Sequence, residues 1–222
     1  MKYVFVDFEM NEVDRKYKKV RRECASEIVQ IGAVMLDEDY NEIGEFREYA
    51  RPEYNDCISG GCARVTEITY ENVADARTIN EVYASFADWC AGLAGPHDYE
   101  VLSWSESDLI QLVNEMKLKG FGEDHPETEW ILDNWTDYQE EYSELIGCRQ
   151  ALSLQNAVGS VGMSFSGRQH DALWDARNTA RIFQIAQDEE QFEKLTGPLI
   201  EALRPAEPMT FKLGDLLQGA LD

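Results

Sequence analysis

A strand that turns acidic at its end constrains this chain more than any other feature. Tyr3 to Met10 reads Tyr-Val-Phe-Val-Asp-Phe-Glu-Met, and its β-branched and aromatic residues favour a buried strand. Alternation places Tyr3, Phe5, Asp7 and Glu9 on one face and Val4, Val6, Phe8 and Met10 on the other. Two carboxylates side by side at the end of a central strand repel each other and lose hydration, which is costly unless a cation lies between them. Hard oxygen donors of this kind suit Mg²⁺ or Mn²⁺. The other reading of the octapeptide is a strand that simply ends, with Glu9 opening a solvated turn.

Further along, the near-continuous apolar run from Glu27 to Leu36 predicts a second central strand, and Glu42 to Ala50 a third, less buried one. Their short connections make them antiparallel neighbours. Thr78-Ile-Asn-Glu81 is a capping box opening a helix with Ile79, Val82, Phe86, Trp89 and Leu93 on its apolar face. Tyr99 to Trp104 predicts a fourth strand, and Ser105-Glu-Ser-Asp108 caps a helix with Leu109, Leu112, Val113 and Met116 inward. Trp130 to Trp135 reads as a fifth strand and Leu152 to Val161 as a short helix. From Asp171 to Ala186 a helix carries Ala172, Ala176, Ala180 and Phe183 as a stripe of mostly small residues that can lie close on a sheet. Strands alternating with helices argue for an α/β fold. One domain over residues 1–186 is expected, with a C-terminal helix and tail over 187–222. Phe192, Leu195, Leu199 and Leu203 recur at helical spacing, and Phe211, Leu213, Leu216 and Leu217 are too apolar for a free end. Docking on the domain or a homodimer contact would cover them.

No apolar run is long enough to span a bilayer and no signal peptide is visible, so a soluble, cytoplasmic protein without membrane partners is expected. The five cysteines form no Cys-x-x-Cys pair, which points to reduced thiols rather than zinc or disulfides. The net charge of −23 opposes any surface that must accept a polyanion.

Asp108 follows the fourth strand directly, and in an α/β sheet ligands bind at the strands' carboxyl ends. It can equally serve only as a cap. His170 and Asp175 on a single helix would sit about 140° apart, from 3.6 residues per turn, and could not face one ion together. A helix starting after His170, with Asp171 as N-cap, resolves this: the imidazole projects from the loop while Asp175 sits one turn in. Singly, the histidine reads as an ordinary core or surface residue, and Asp175 as a carboxylate favoured by the helix N-terminus.

The motifs Val6-Asp7-Phe8-Glu9, Trp104-Ser-Glu-Ser-Asp108 and His170-Asp-Ala-Leu-Trp-Asp175 occur in this order. Together they resemble the DEDD superfamily of 3′-to-5′ exonucleases, in its histidine subclass (DEDDh), and most closely its Eri-type, histone-mRNA exonuclease-like branch. Glu27-Ile-Val-Gln-Ile-Gly-Ala-Val34, Tyr49-Ala-Arg-Pro52, Thr66-Glu-Ile-Thr69 and Gly167-Arg-Gln-His170 strengthen the likeness.

The resemblance implies a ribonuclease H-like mixed five-stranded sheet flanked by helices. It also implies a two-metal nuclease with Mg²⁺ or Mn²⁺, two per site, on Asp7, Glu9, Asp108 and Asp175, and His170 as general base. Single-stranded 3′ ends, RNA more than DNA, are the implied substrate, released as 5′-monophosphates. Thr66 and Ile68 match a segment placed against the terminal nucleotide, and Met10 follows the acidic pair. Two alternatives stay open: a protein of the same fold that binds nucleic acid without cleaving it, and a phosphodiesterase for dinucleotides and very short oligomers. Arg15, Lys16, Lys18, Lys19, Arg21 and Arg22 crowd the loop leaving the first strand. They form either a solvated surface offsetting nearby acid or, with Tyr17, a grip on the phosphates and bases of a short single strand.

Overall fold

Apolar residues on both faces make the first strand the middle of a sheet rather than its edge. In the computed structural model, which describes residues 1–148 and 150–203, β1 (Lys2–Glu12) lies between β2 (Ser26–Leu36) and β4 (Tyr99–Ser103). The edges are β3 (Glu42–Tyr49), beside β2, and β5 (Trp135–Asp137), beside β4. The three long strands are antiparallel, whereas β4 runs parallel to both β1 and β5. The parallel pairing of β1 with β4 brings the residues that follow Ser103 beside the acidic end of β1.

Among the described residues ten helices flank this sheet. They are α1 (Val20–Glu23), α2 (Gly60–Thr66), α3 (Tyr70–Val73), α4 (Ile79–Ala94), α5 (Ser107–Lys119), α6 (Thr128–Asp133), α7 (Tyr138–Leu145), α8 (Leu154–Ser160), α9 (Ala172–Ala186) and α10 (Glu189–Leu203). Val4, Val6 and Phe8 pack with Val82, Phe86 and Leu112 on one side of the sheet. Phe5, Val34 and Leu36 pack with Ala176, Ala180 and Phe183 on the other. This division follows the alternation along β1 and the small-residue stripe of α9. No described helix is long and apolar enough to cross a membrane.

Several local expectations need correction. Trp130 to Trp135 is not a strand: Thr128–Asp133 is helical, and β5 begins at Trp135. Indole hydrogen bonds decide this, since Trp130 Nε1 donates to the Tyr99 carbonyl and Trp135 Nε1 to Ser103 Oγ. Leu93 and Val113 are exposed rather than inward. Polar groups share the buried face of α5 instead: Asp108, Gln111 and Glu115 lie beside Leu112 and Met116.

Glu115 belongs to a buried ionic assembly. Lys119 Nζ is 2.8 Å from Glu115, 2.9 Å from Glu27 and 3.2 Å from Glu53, and the side chains of Glu27 and Glu115 are fully buried. Burial works against the ammonium, but Glu115 and Glu27 outweigh it and raise the Lys119 pKa. The assembly fixes backbone as well: Glu115 Oε2 accepts the Ile28 N–H, and Glu27 accepts those of Glu53 and Tyr54. At the far end of the chain, Phe192, Leu199 and Ile200 of α10 pack against the α9 side of the core. Phe211, Leu213, Leu216 and Leu217, and the contact expected of them, lie outside the described residues.

Candidate active site

Asp7 is the cross-strand partner of Gly32 and Glu9 that of Gln30, and the register shifts between Glu9 and Met10. A bulge bends a strand locally, so β1 deforms where its two carboxylates stand. Asp108 does not cap its helix: α5 has Glu106 at the N-cap and no side-chain cap bond. Its carboxylate reaches across to β1 instead, where Oδ1 accepts the Phe8 backbone N–H at 3.0 Å. That N–H lies between Asp7 and Glu9 in the chain, so one hydrogen bond holds three carboxylates together.

The fourth carboxylate arrives on α9. Asp171 occupies the N-cap and Ala172 starts the helix, so His170 sits outside it with φ 58°, in the left-handed region. The turn lets the His170 backbone N–H donate to Asp175 Oδ2 at 3.2 Å while the imidazole faces solvent. One ligand atom each from Glu9, His170 and Asp175 lie within 4.8 Å of one another. Asp171 is held from the other side, by Arg47 at 2.6 Å and Arg168 at 3.5 Å, and Arg168 also meets Glu67 at 2.7 Å. Reading the sequence missed both arginines in this role. Arg168 had a signal in its place two residues before His170, but Arg47 lies on β3, and only the packing of α9 on the sheet brings it here.

Burial, with the crowding of like charges added to it, dominates the electrostatics. Burial, then the charges of Asp108, Asp175 and Glu9, push Asp7 well above the ordinary carboxylate range. Burial, then Asp175 and Asp108, raise Glu9 to about 8. Burial also raises Asp108 and Asp175 to about 7 each, although the Phe8 and His170 N–H groups pull them down. Among the described residues no hydrogen bond or ion pair reaches the carboxylates of Asp7 or Glu9, and the buried Asp175 Oδ1 has no hydrogen-bond partner. Hard oxygen donors left without protein partners fit a divalent cation of the Mg²⁺ or Mn²⁺ kind.

The other residues singled out from the sequence surround this cluster without joining it. Met10 is half-buried against the core. Thr66 ends α2, where its hydroxyl donates to the Cys62 carbonyl and accepts from the Ile68 N–H; Ile68 is buried beside Val29 and Val73. Arg15, Lys16, Lys18 and Lys19 are exposed beyond the end of β1. Arg21 is half-buried and donates to the Val13 carbonyl, which ties the loop to its strand.

The exonuclease family RNase_T matches residues 4–183, a span that includes all four acidic residues and His170. The chain belongs to this family. The chain is 30% identical over 176 residues to ERI1 exoribonuclease 2 of Danio rerio, a match covering 71% of this chain and 31% of that relative. The region in common is thus about a third of the relative's length. Its structure matches the nuclease domain of 3′hExo, a DEDDh family member solved with rAMP, with TM-score 0.73 and 23% identity over 86% of this chain and 94% of that one. It also matches S. pombe Pop2p, solved with Mg²⁺ and Mn²⁺, with TM-score 0.61 and 18% identity over 87% of each chain. The chain is homologous to the ERI1 exoribonuclease 2 proteins, and it shares the ribonuclease H-like fold of the 3′hExo nuclease domain.

Gly32 decides how closely α9 approaches the sheet. A Cβ there would stand 2.1 Å from Leu173 N and 2.2 Å from the Ala172 carbonyl carbon, both backbone atoms that cannot yield separately. Gly32→Ala must therefore lift the start of α9 and carry Asp175 away from Asp7. Overpacking of this kind costs about 1–3 kcal/mol. Scanning calorimetry should show a melting temperature lower by a few degrees, and Mn²⁺ titration an affinity reduced roughly tenfold. Wild-type values for both would mean that α9 does not depend on this close approach.

Proposed function

We propose that this exonuclease removes nucleotides from the 3′ end of single-stranded nucleic acid, RNA in preference to DNA, as 5′-monophosphates in a metal-dependent reaction. The observation that carries the proposal is the convergence of Asp7, Glu9, Asp108 and Asp175 with His170 at the end of β1, where carboxylate oxygens lack protein partners. Asp7, Glu9 and Asp175 hold Mg²⁺ or Mn²⁺, two per site, with Asp108 binding directly or through water. When bound, such cations stabilise the attacking and departing oxygens of an in-line displacement. His170 takes the proton of the attacking water, a general-base role for which its ring lies beside Glu9 and Asp175. Its exposed loop leaves the ring open to solvent while the backbone stays tied to Asp175. Met10, Thr66 and Ile68 meet the terminal nucleotide. Residues 1–186 form the catalytic unit.

The preference for RNA is supported by relatives named exoribonucleases and by the rAMP-bound 3′hExo domain. The charge of −23 favours a second reading, a phosphodiesterase for dinucleotides and very short oligomers. Initial rates on RNA and DNA of equal sequence, at two, five and twenty nucleotides, decide between them. RNA should be cut faster than DNA, and five nucleotides faster than two. Highest activity on the dinucleotide would favour the phosphodiesterase, and equal rates on DNA would remove the RNA preference. If neither nucleic acid were cut with either cation, the nuclease assignment would fail.

A further inference from the structure

An acidic protein needs a specific place to receive a polyanion, and the loop after β1 offers one. β1 continues three residues past Glu9 to Glu12, about 10 Å at roughly 3.3 Å per residue. A cleft of about 230 Å³ opens there among Glu12, Val13, Asp14, Arg15, Arg21 and Asn55. Beside it, Tyr17 and Tyr54 meet edge to face with ring centroids 5.6 Å apart, and Tyr17 remains 37% exposed. Lys16 lies 5.0 Å from the Tyr17 ring centroid, and Lys119 lies 5.8 Å from that of Tyr54.

The base beneath these rings is rigid. The Tyr54 backbone N–H is held by Glu27, itself locked to Lys119. Asn55 clamps the loop to the strand, accepting the Asp14 N–H at 2.7 Å and donating to the Glu12 carbonyl at 2.8 Å. Lys18 and Lys19 are exposed, and among the described residues no ion pair engages either. Lys16 is paired with Asp14 at 3.5 Å and Lys119 with Glu27, Glu53 and Glu115, so the cations left to meet a ligand are Arg15, Lys18 and Lys19; with the fixed aromatic surface they match the chemistry of unpaired nucleobases and their phosphates.

We propose that Tyr17, braced by Tyr54, stacks an upstream base of the substrate strand while Arg15, Lys18 and Lys19 take its phosphates, so that this surface selects single-stranded tails long enough to reach it. This inference rests on the nuclease reading for the position of the 3′ end. Arg21 and Asn55 build the surface rather than touch the strand. Duplexes are disfavoured because their bases present no free face for stacking.

Binding of a fluorescent ten-nucleotide RNA, measured by anisotropy in an Asp7→Asn background where no cleavage occurs, tests the surface apart from the chemistry. Adding Tyr17→Ser should weaken binding about tenfold, whereas Tyr17→Phe should not. Lys18→Ser with Lys19→Ser should reduce the log–log salt slope by roughly 0.7 for each phosphate that no longer meets a cation. With cleavage restored, Tyr17→Ser should lower kcat/KM far more on ten nucleotides than on two. Wild-type binding and salt slope in these variants, or an equal loss on both lengths, would overturn the proposal. Failure of the wild type to cut RNA would refute the nuclease reading instead.

Discussion

Asp7→Asn should lower kcat by at least about 10³-fold and yet raise the melting temperature of the metal-free protein. The loss follows from several kcal/mol of transition-state stabilisation that depends on the carboxylate cluster holding its cations. The gain follows from linkage. Asp7 lies well above its ordinary pKa, Glu9 at about 8, and Asp108 and Asp175 at about 7, whereas carboxyls of an unfolded chain titrate near 4. Between those values the folded state binds more protons than the unfolded one, so stability falls as pH rises from about 4 towards 8. Asp7→Asn removes the cost of either charging this buried group or binding a proton to it on folding. Melting curves of the metal-free protein at pH 5 and pH 8 should show the decline in the wild type and a smaller one in Asp7→Asn, with Mg²⁺ restoring the wild type at pH 8. A wild-type melting temperature that rose over this interval would contradict the electrostatic picture.

His170→Ala should slow hydrolysis by about 10²–10⁴-fold, the usual contribution of a general base, while leaving Mn²⁺ binding nearly intact. The second expectation follows from geometry: the bond from residue 170 to Asp175 is made by the backbone N–H, which alanine retains. Cleavage at the wild-type rate would show that another group takes the proton. A large loss of Mn²⁺ affinity would make His170 a ligand.

The parts of this site legible in the sequence are those with a short-range signal. Alternation along β1 places Asp7 and Glu9 on one face, and the small-residue stripe of α9 places Asp175 towards the sheet. The turn before α9 follows from His170 and Asp175 having to converge. Asp108 is different. Its position after β4 is readable, but its bond is to Phe8, 100 residues away, and a local cap is the nearer explanation. Arg47 and Tyr54 are invisible for the same reason, since each gains its role only from a contact across the fold. The misplaced fifth strand shows the converse: Trp130 to Trp135 has strand-like composition, yet two indole hydrogen bonds to the β4 segment fix a helix followed by a three-residue strand.

The most direct measurement is the course of degradation of a 5′-labelled single-stranded RNA by the wild type and by Asp7→Asn, with Mg²⁺ or Mn²⁺. The wild type should shorten the labelled strand stepwise from its 3′ end and release nucleoside 5′-monophosphates, with chelator abolishing the ladder and Asp7→Asn producing none. Internal cuts, 3′-phosphate products, or equal activity in Asp7→Asn would contradict the assignment of this carboxylate cluster as the catalytic centre of a 3′-to-5′ exonuclease.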